Sequence, residues 1–147
     1  MIRRLVAFVL ALACAVVLGS LAHSVMVQQA WLEAGGSAVT LPLADRLGWI
    51  AHDLVGLQPL YGGLVGIALV VAFLAAGLVT RFTGLRTIVF AVAGAVALFT
   101  MFTVMKMQLG TVGVFGARGQ LGLAAQMFAG GLAGLLFAFL SRPQTDS

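Results

Sequence analysis

The two histidines, His23 and His52, are the residues whose type most directly suggests chemistry, because a neutral imidazole can ligate a metal ion or a haem iron. A metal site normally needs three or four ligands. No acid or thiol lies at helical spacing beside His23, and the single cysteine, Cys14, lies more than two helical turns earlier. We therefore expect no metal or haem site and no cofactor, and we expect His52 to lie on a solvated face.

Three methionines, Met101, Met105 and Met107, carry thioether sulfurs that suit Cu(I). Their spacing, together with a GxxxG in another apolar run, is similar to that of the eukaryotic-type copper channels. Those channels have three spans, however, and here Met105 and Gly130 are too far apart for their pattern. Lys106, beside the methionines, would also repel a cation. We expect the methionines to act as adaptable packing residues.

The apolar runs of the sequence contain no catalytic arrangement. Membrane proteases and proton-coupled transporters carry acidic residues inside their spans, and no Asp or Glu lies inside these runs. Ser20 and Ser24 have no base at a comparable depth. The glycines around Arg118 lack the GK[ST] ending of a phosphate-binding loop. We therefore expect a protein that is not an enzyme.

The composition indicates that much of the surface faces lipid. Of the 147 residues, 62% are hydrophobic and only 8% are charged, whereas about one quarter of an ordinary soluble domain is charged. The net charge of +4 could suggest a nucleic-acid partner. The basic residues, however, stand singly or as one pair at the ends of apolar runs, which is typical of membrane topology signals. We therefore expect the lipid bilayer as a partner and no nucleic acid.

Four apolar runs are long enough to cross a bilayer, which takes about 20 residues in a helix. They cover residues 5–27, 61–80, 87–105 and 120–140. The predicted fold is all-α, a polytopic four-transmembrane-helix bundle that forms a single membrane domain over residues 1–147. The first run begins like a lipoprotein signal that ends at Cys14, but it continues to Val27, so we expect an uncleaved helix.

The basic residues predict the orientation of the chain. If both termini are cytoplasmic, the cytoplasmic side holds Arg3, Arg4, Arg81, Arg86 and Arg142, and the outer side holds Arg46, Lys106 and Arg118. An excess of basic residues in short connections marks the cytoplasmic side. We therefore expect a multi-pass protein of the bacterial inner membrane with cytoplasmic N- and C-termini.

The outer loop, residues 28–60, contains an amphipathic pattern. Pro42 suits a helix start, and the segment from Leu43 to Leu57 follows it. Its apolar residues share one helical face: Leu43, Leu47, Ile50 and Leu54. We expect a periplasmic helix that lies along the membrane interface, with a soluble loop as the alternative. The rings that suit the headgroup level are those of Trp31, Trp49 and Tyr61.

Small residues follow the faces of the predicted spans. The row on the fourth span is Gly122, Gln126, Gly130, Gly134 and Ala138, and the row on the first span is Ala11, Ala15, Gly19 and His23. Gly62 and Gly66 form a GxxxG on the second span. Small residues let helix backbones approach closely, and an amide such as that of Gln126 can hydrogen-bond a neighbouring helix. These rows either pack within the bundle or bind another subunit.

Three segments of the chain carry a resemblance to a known group. They are Arg46-Leu47, the segment from His52 to Tyr61, and Gly116-Ala117-Arg118. With the first span before them, they resemble a group of small four-span inner-membrane proteins of proteobacteria, over nearly the whole chain. The resemblance implies the architecture and no particular activity.

The sequence therefore favours an accessory, assembly or structural subunit of a membrane system, because its positive features concern packing. Other membrane subunits or further copies of the chain are the expected partners. The alternative is a binder or facilitator of a small apolar molecule, either a lipid or a quinone. Its site would lie between the helices, near His23, Trp49 and Gln126 and beneath Arg118.

Overall fold

The computed structural model of the chain describes residues 2–35, 42–110 and 119–142. The described residues form α-helices and one π-helical turn, with no β-strand among them. The helices are α1 (Ile2–Gly35), α2 (Leu43–Leu57), α3 (Gly63–Thr83), α4 (Arg86–Leu109) and α5 (Gln120–Leu140). The π-helical turn, Gln58–Gly62, joins α2 to α3. It contains Pro59, which has no backbone N–H and cannot continue the hydrogen bonding of α2.

Four helical segments are long and apolar enough to cross a membrane. They are Ile2–Gly35, Pro59–Thr83, Arg86–Gln108 and Gln120–Leu140. Each of these segments contains one of the runs that the sequence predicts to span the bilayer. Their length and composition indicate a multi-pass membrane protein and confirm the prediction of an all-α fold with four such helices.

The first helix continues beyond the predicted end of its span. Two glutamines after Val27 suggest a polar boundary in the sequence, but α1 continues through them to Gly35. Gln28 is 6% exposed, because this part of α1 lies against protein. Helix α2 also packs on α1. Gln28 is therefore not the end of the helix, although the sequence suggests a polar boundary there.

Glycines end the two helices α3 and α4. Gly84, after α3, has φ of 68° and Gly110, after α4, has φ of 67°. The amide of Gly84 donates to the carbonyl oxygen of Thr80 at 3.2 Å, which closes the last turn of α3. Glycine adopts this left-handed conformation without the strain of a side chain. The connection to α4 is therefore only Gly84 and Leu85, which makes a tight hairpin of the two helices.

The four long helices form a bundle in which α5 is central. Helix α5 packs against both α1 and α4, and α3 packs against α4, whereas α1 contacts α3 much less. We call the end of the bundle that holds Arg3, Arg86 and Arg142 the arginine end, and we call the opposite end, which holds Gly35 and Gly110, the loop end.

A cluster of aromatic rings fills the core in the half near the arginine end. Each long helix contributes one phenylalanine: Phe8, Phe73, Phe90 and Phe137. The ring of Phe73 lies 4.7 Å from that of Phe137 and 5.6 Å from that of Phe90. The ring of Phe8 meets Phe73 edge-on at 6.3 Å. Such pairs add to the energy of packing, so this cluster ties α1 and α3 to the α4–α5 pair.

Candidate functional site

The small-residue row of α5 lies inside the bundle. All of its members are buried: Gly122, Gln126, Gly130, Gly134 and Ala138. The row faces α1 and α4, the two helices against which α5 packs. A surface that is already covered within one chain is not free for a separate subunit.

The backbones of α4 and α5 touch at three glycines. A Cβ atom built on Gly94 would overlap the carbonyl oxygen of Gly130, and one built on Gly130 would overlap that of Gly94. A Cβ on Gly134 would overlap the carbonyl oxygen of Phe90. The rows of small residues predicted from the sequence do not include Gly94. The signal that could have identified it is a single glycine in the middle of an apolar helical run, because such a glycine usually marks a close packing contact.

A buried hydrogen-bond network lies around Gln126, which is 0% exposed. Its Nε2 donates to the carbonyl oxygen of Gly19 in α1 at 2.8 Å. The hydroxyl of Tyr61, at the end of the π-helical turn, donates to Oε1 of Gln126 at 2.6 Å. One amide therefore joins three segments of the chain, and both its oxygen and its nitrogen have partners.

Tyr61, whose ring is predicted to suit the headgroup level, lies inside the bundle. This residue is 3% exposed, and its ring stacks on that of Phe102 with centroids 6.5 Å apart. The prediction relied on the tyrosine side chain being apolar at the ring and polar at the hydroxyl. Such a side chain is equally stable inside a bundle when its hydroxyl has a hydrogen-bond partner. Gln126 provides that partner.

Gly19 leaves space for the network. A Cβ on Gly19 would overlap the hydroxyl of Tyr61 and would lie 2.7 Å from Oε1 of Gln126. The predicted row of small residues on α1 includes Gly19, but the row alone does not identify what approaches it. In the structure, the approaching groups are polar side chains rather than the backbone of another helix.

A row of buried polar side chains continues along α1 toward the loop end. It consists of Ser20, His23, Ser24 and Gln28. Within the described part of the chain, Oγ of Ser20 and Nε2 of Gln28 have no hydrogen-bond partner. His23, one of the candidate ligand contacts, is thus buried on the same helix that receives the bond from Gln126.

The other candidate contacts lie in different surroundings. Trp49 is 40% exposed on α2, and Arg118 lies outside the described residues. Gly62 and Gly66 are half-buried, and a Cβ on Gly66 would meet only the side chain of Leu12 at an ordinary 3.6 Å. At Gly66, in the predicted GxxxG of the second span, the backbone is therefore not in close contact with the backbone of another described helix.

The residues with metal-binding chemistry lie apart in the structure. Among residues 2–35, 42–110 and 119–142, no group of three or more His, Cys, Asp and Glu side chains could hold a metal ion. His52 is exposed on α2, whereas His23 is buried. Met101 and Met105 pack against the core, and Met107 is 79% exposed.

The arginine end has a second polar network, which the sequence does not reveal. Nε of Arg3 donates to the carbonyl oxygen of Leu140 at 3.0 Å. Nη2 of Arg86 donates to Oγ of Ser141 at 2.6 Å and to its carbonyl oxygen at 3.2 Å. Arginines from α1 and α4 thus meet the last carbonyls of α5. Those carbonyls have no partner within the helix, and the helix dipole makes this end attractive to cations.

A third arginine lies beside them. Nη2 of Arg142 donates to Oγ1 of Thr87 at 3.2 Å, and the guanidinium lies 4.6 Å from the ring centre of Phe139. The positive charges of Arg4 and Arg142 both repel that of Arg86. The arginine end therefore concentrates like charges that partner mainly with neutral oxygens.

A small basic pocket opens between these arginines. It has a volume of about 380 Å³ and is lined by Gly84, Leu85, Arg86, Thr87, Ile88 and Arg142. Its walls are the α3–α4 turn, the first turn of α4 and the residue two positions after α5. The pocket therefore lies where a membrane-spanning hairpin meets the end of the bundle.

A long apolar groove runs between α3 and α4 on the outside of the bundle, with a volume of about 1020 Å³. Apart from Thr100 and Gln108, its lining side chains are apolar. The groove is distinct from the interior around Gln126, which belongs to the contacts of α5 with α1.

Comparison of the chain with known protein families, with curated protein sequences and with solved structures finds no match.

Proposed function

We propose that this chain is a non-catalytic accessory, assembly or structural subunit of a membrane system in the bacterial inner membrane. The observation that carries the proposal is the network of Gln126, Gly19 and Tyr61. The single amide inside the bundle bonds to groups of its own chain, at 2.8 and 2.6 Å. A ligand site normally keeps a few convergent polar groups for the ligand, whereas both the oxygen and the nitrogen of this amide are bonded within the chain.

The glycine contacts support the same proposal. Gly94, Gly130 and Gly134 hold α4 and α5 together within one chain. A partner subunit therefore has to contact other surfaces, such as the outer face of α3. That face is apolar and exposed at Ile67, Val71, Leu74 and Leu78. In a bilayer such a face meets either lipid or another helix.

The proposal includes an orientation in which the arginine end faces the cytoplasm. The positive-inside rule supports it, since Arg3, Arg81, Arg86 and Arg142 belong to that end. Helix α2 would then lie along the periplasmic interface. Its apolar residues Leu43 and Leu47 are exposed in the structure, as is Trp49. Lipid is the natural cover for this apolar surface.

Site-specific photo-crosslinking in cells tests the subunit proposal. A photoreactive residue at Leu74, which is 71% exposed, should crosslink to one membrane protein of defined mass or to a second copy of the chain. The matched control is Leu69 on the same helix, which is 0% exposed and should give no product with another chain. If positions around the whole outer face of the bundle crosslink only to lipid, the subunit proposal is wrong.

The alternative function, a binder of a small apolar molecule, is distinguished by substitutions at the network. We expect Gln126→Leu and His23→Ala to leave the Leu74 crosslink in place, because they change the interior and not the outer face. If these variants fold and assemble but fail to support growth under a condition that requires the protein, a ligand site in the bundle becomes the better explanation.

A further inference from the structure

We propose that the arginine end binds one anionic phospholipid, with its phosphate between Arg86 and Arg142 and its acyl chains in the groove between α3 and α4. The headgroup pocket lies at the opposite end of the bundle from Gln126, whereas the groove shares Ile67 and Val71 with the outer face of α3. The argument rests on the charge of the arginine end, on the basic pocket, and on the continuity of that pocket with the apolar groove.

The first step is the charge. Arg3, Arg4, Arg86 and Arg142 gather around the end of α5. The acidic residues of the described segments, Glu33, Asp45 and Asp53, belong to the far end of α1 and to α2. Among the described residues, the hydrogen bonds of Arg3, Arg86 and Arg142 go to neutral carbonyl and hydroxyl oxygens rather than to carboxylates. An anion between Arg86 and Arg142 would reduce their mutual repulsion.

The second step is the pocket. It is lined by Arg86 and Arg142 together with the α3–α4 turn, and its volume of about 380 Å³ can accept a phosphate headgroup. Nε of Arg86 is buried and has no hydrogen-bond partner among the described residues. The first turn of α4 also lines the pocket, and the N-terminus of a helix favours a negative charge. Arg86 and Arg142 thus bring two positive charges to the pocket, which suits a phosphate.

The third step connects the pocket to the groove. Ile88 lines both of them. From Ile88 to Gln108 the helix α4 rises about 30 Å, which is the thickness of the hydrocarbon core. Alanines at Ala68, Ala72 and Ala93 leave space between the helices. A molecule with an anionic head at the pocket would therefore extend its chains along an apolar channel.

The basic pocket and the apolar groove together indicate which ligand binds. A free phosphate would use the basic pocket but would gain nothing from the groove, and a partner helix would fill the groove but would leave the arginines without an anion. A phospholipid with an anionic headgroup satisfies both. Basic pockets between spanning helices are a recurrent way to hold such lipids at the membrane surface.

Native mass spectrometry of the intact chain, released from mild detergent, tests the site. Phosphatidylglycerol and phosphatidylcholine with identical acyl chains are added at equal concentration. We expect one tightly bound phosphatidylglycerol and several-fold less phosphatidylcholine. In Arg142→Gln the bound phosphatidylglycerol should fall about fivefold, the effect of removing one basic residue near an anionic surface. Arg142 is exposed, so this change is expected to leave the fold intact, which size-exclusion chromatography would check.

The matched control is Arg81→Gln. Arg81 is an exposed arginine near the same end, but it lines neither the pocket nor the groove. It should retain wild-type binding, because the site depends on position rather than on total charge. Equal losses in Arg81→Gln and Arg142→Gln would overturn the proposal, as would equal binding of the two lipids.

A second pair of measurements tests the part played by the acyl chains. Soluble glycerol phosphate should compete poorly with phosphatidylglycerol, because it cannot use the groove. Ile88→Trp places a large ring where pocket and groove meet and should reduce lipid binding several-fold, although both arginines remain. If glycerol phosphate displaces the lipid at equal concentration, or if Ile88→Trp binds normally, the site takes a phosphate alone and the phospholipid proposal is wrong.

Discussion

The amide nitrogen of Gln126 donates a hydrogen bond to the carbonyl oxygen of Gly19, a residue 107 positions earlier in the chain. The same glycine has no side chain where the hydroxyl of Tyr61 and Oε1 of Gln126 approach it. Gly19 therefore contributes both an acceptor and the space that the other two groups occupy. This relationship connects α1 to α5 at the centre of the bundle and leads to the first predictions.

Gly19→Ala should destabilise the folded protein by about 1–3 kcal/mol, the usual cost of forcing an additional methyl group into a filled core. The added Cβ would displace the hydroxyl of Tyr61 and weaken its bond to Gln126. Unfolding by a dodecyl sulfate titration in mixed micelles measures the effect. Gly66→Ala is the control, because its Cβ would meet only Leu12 at 3.6 Å. Equal stability of the two variants would contradict the role given to Gly19.

Tyr61→Phe and Gln126→Leu should show an energetic coupling. Each substitution removes one side of the hydrogen bond between these residues, so the loss in the double variant should be smaller than the sum of the single losses. Intramembrane hydrogen bonds give coupling energies of about 0.6–1.7 kcal/mol. A double-mutant cycle on the free energy of unfolding provides the number. Additive effects would mean that the bond contributes nothing to stability.

Gly130→Ala should separate α4 from α5, whereas Gly131→Ala should be nearly neutral. A Cβ on Gly130 would overlap the backbone of Gly94, but one on Gly131 would lie 3.6 Å from the carbonyl oxygen of Ala91 and 3.8 Å from Cβ of Ala95. The loss at Gly130 should be roughly 1–3 kcal/mol or more, because backbone cannot move aside as a side chain can. The same unfolding titration compares the neighbours, and an equal loss in both would contradict this close contact.

Single cysteines should report the orientation of the bundle in a Cys14→Ala background. We expect His52→Cys to react in intact cells with a maleimide that does not cross the inner membrane. Arg81→Cys should react only after that membrane is opened, because basic residues are retained on the cytoplasmic side. Both positions are exposed in the structure, so access within the protein does not differ. The reverse labelling pattern would show that the arginine end faces outward.

The helical segments could be predicted because they depend on local properties of the sequence. Apolar runs and their lengths identify four helices able to span a membrane, and the periodicity from Leu43 to Leu57 predicts the helix observed there. The sequence does not show that α1 continues beyond Gln28, because the residue type does not tell whether a glutamine meets water or protein. In the structure this residue is buried, and α1 continues past it.

The contacts between helices could be predicted only in part. A row of small residues shows which face of α5 is suited to close packing, but not that Gly130 would meet Gly94. Tyr61 has the same character at a membrane surface as in a polar interior, so its type does not decide between them. The arginines have a similar limitation: their positions in the sequence predict a common side of the membrane, whereas their convergence on Ser141 depends on how the helices assemble.

The packing of α1 against α5 has a consequence for biosynthesis. Helix α1 is made first, but its main contact is α5, the last of the described helices to leave the ribosome. Until then the face of α1 around Gly19, which receives the bond from Gln126 in the folded protein, is not covered by α5. A nascent chain that stops before Gln120 would therefore leave this face open. Such chains should be bound by the insertion machinery or removed by membrane proteases, whereas the completed chain covers the face.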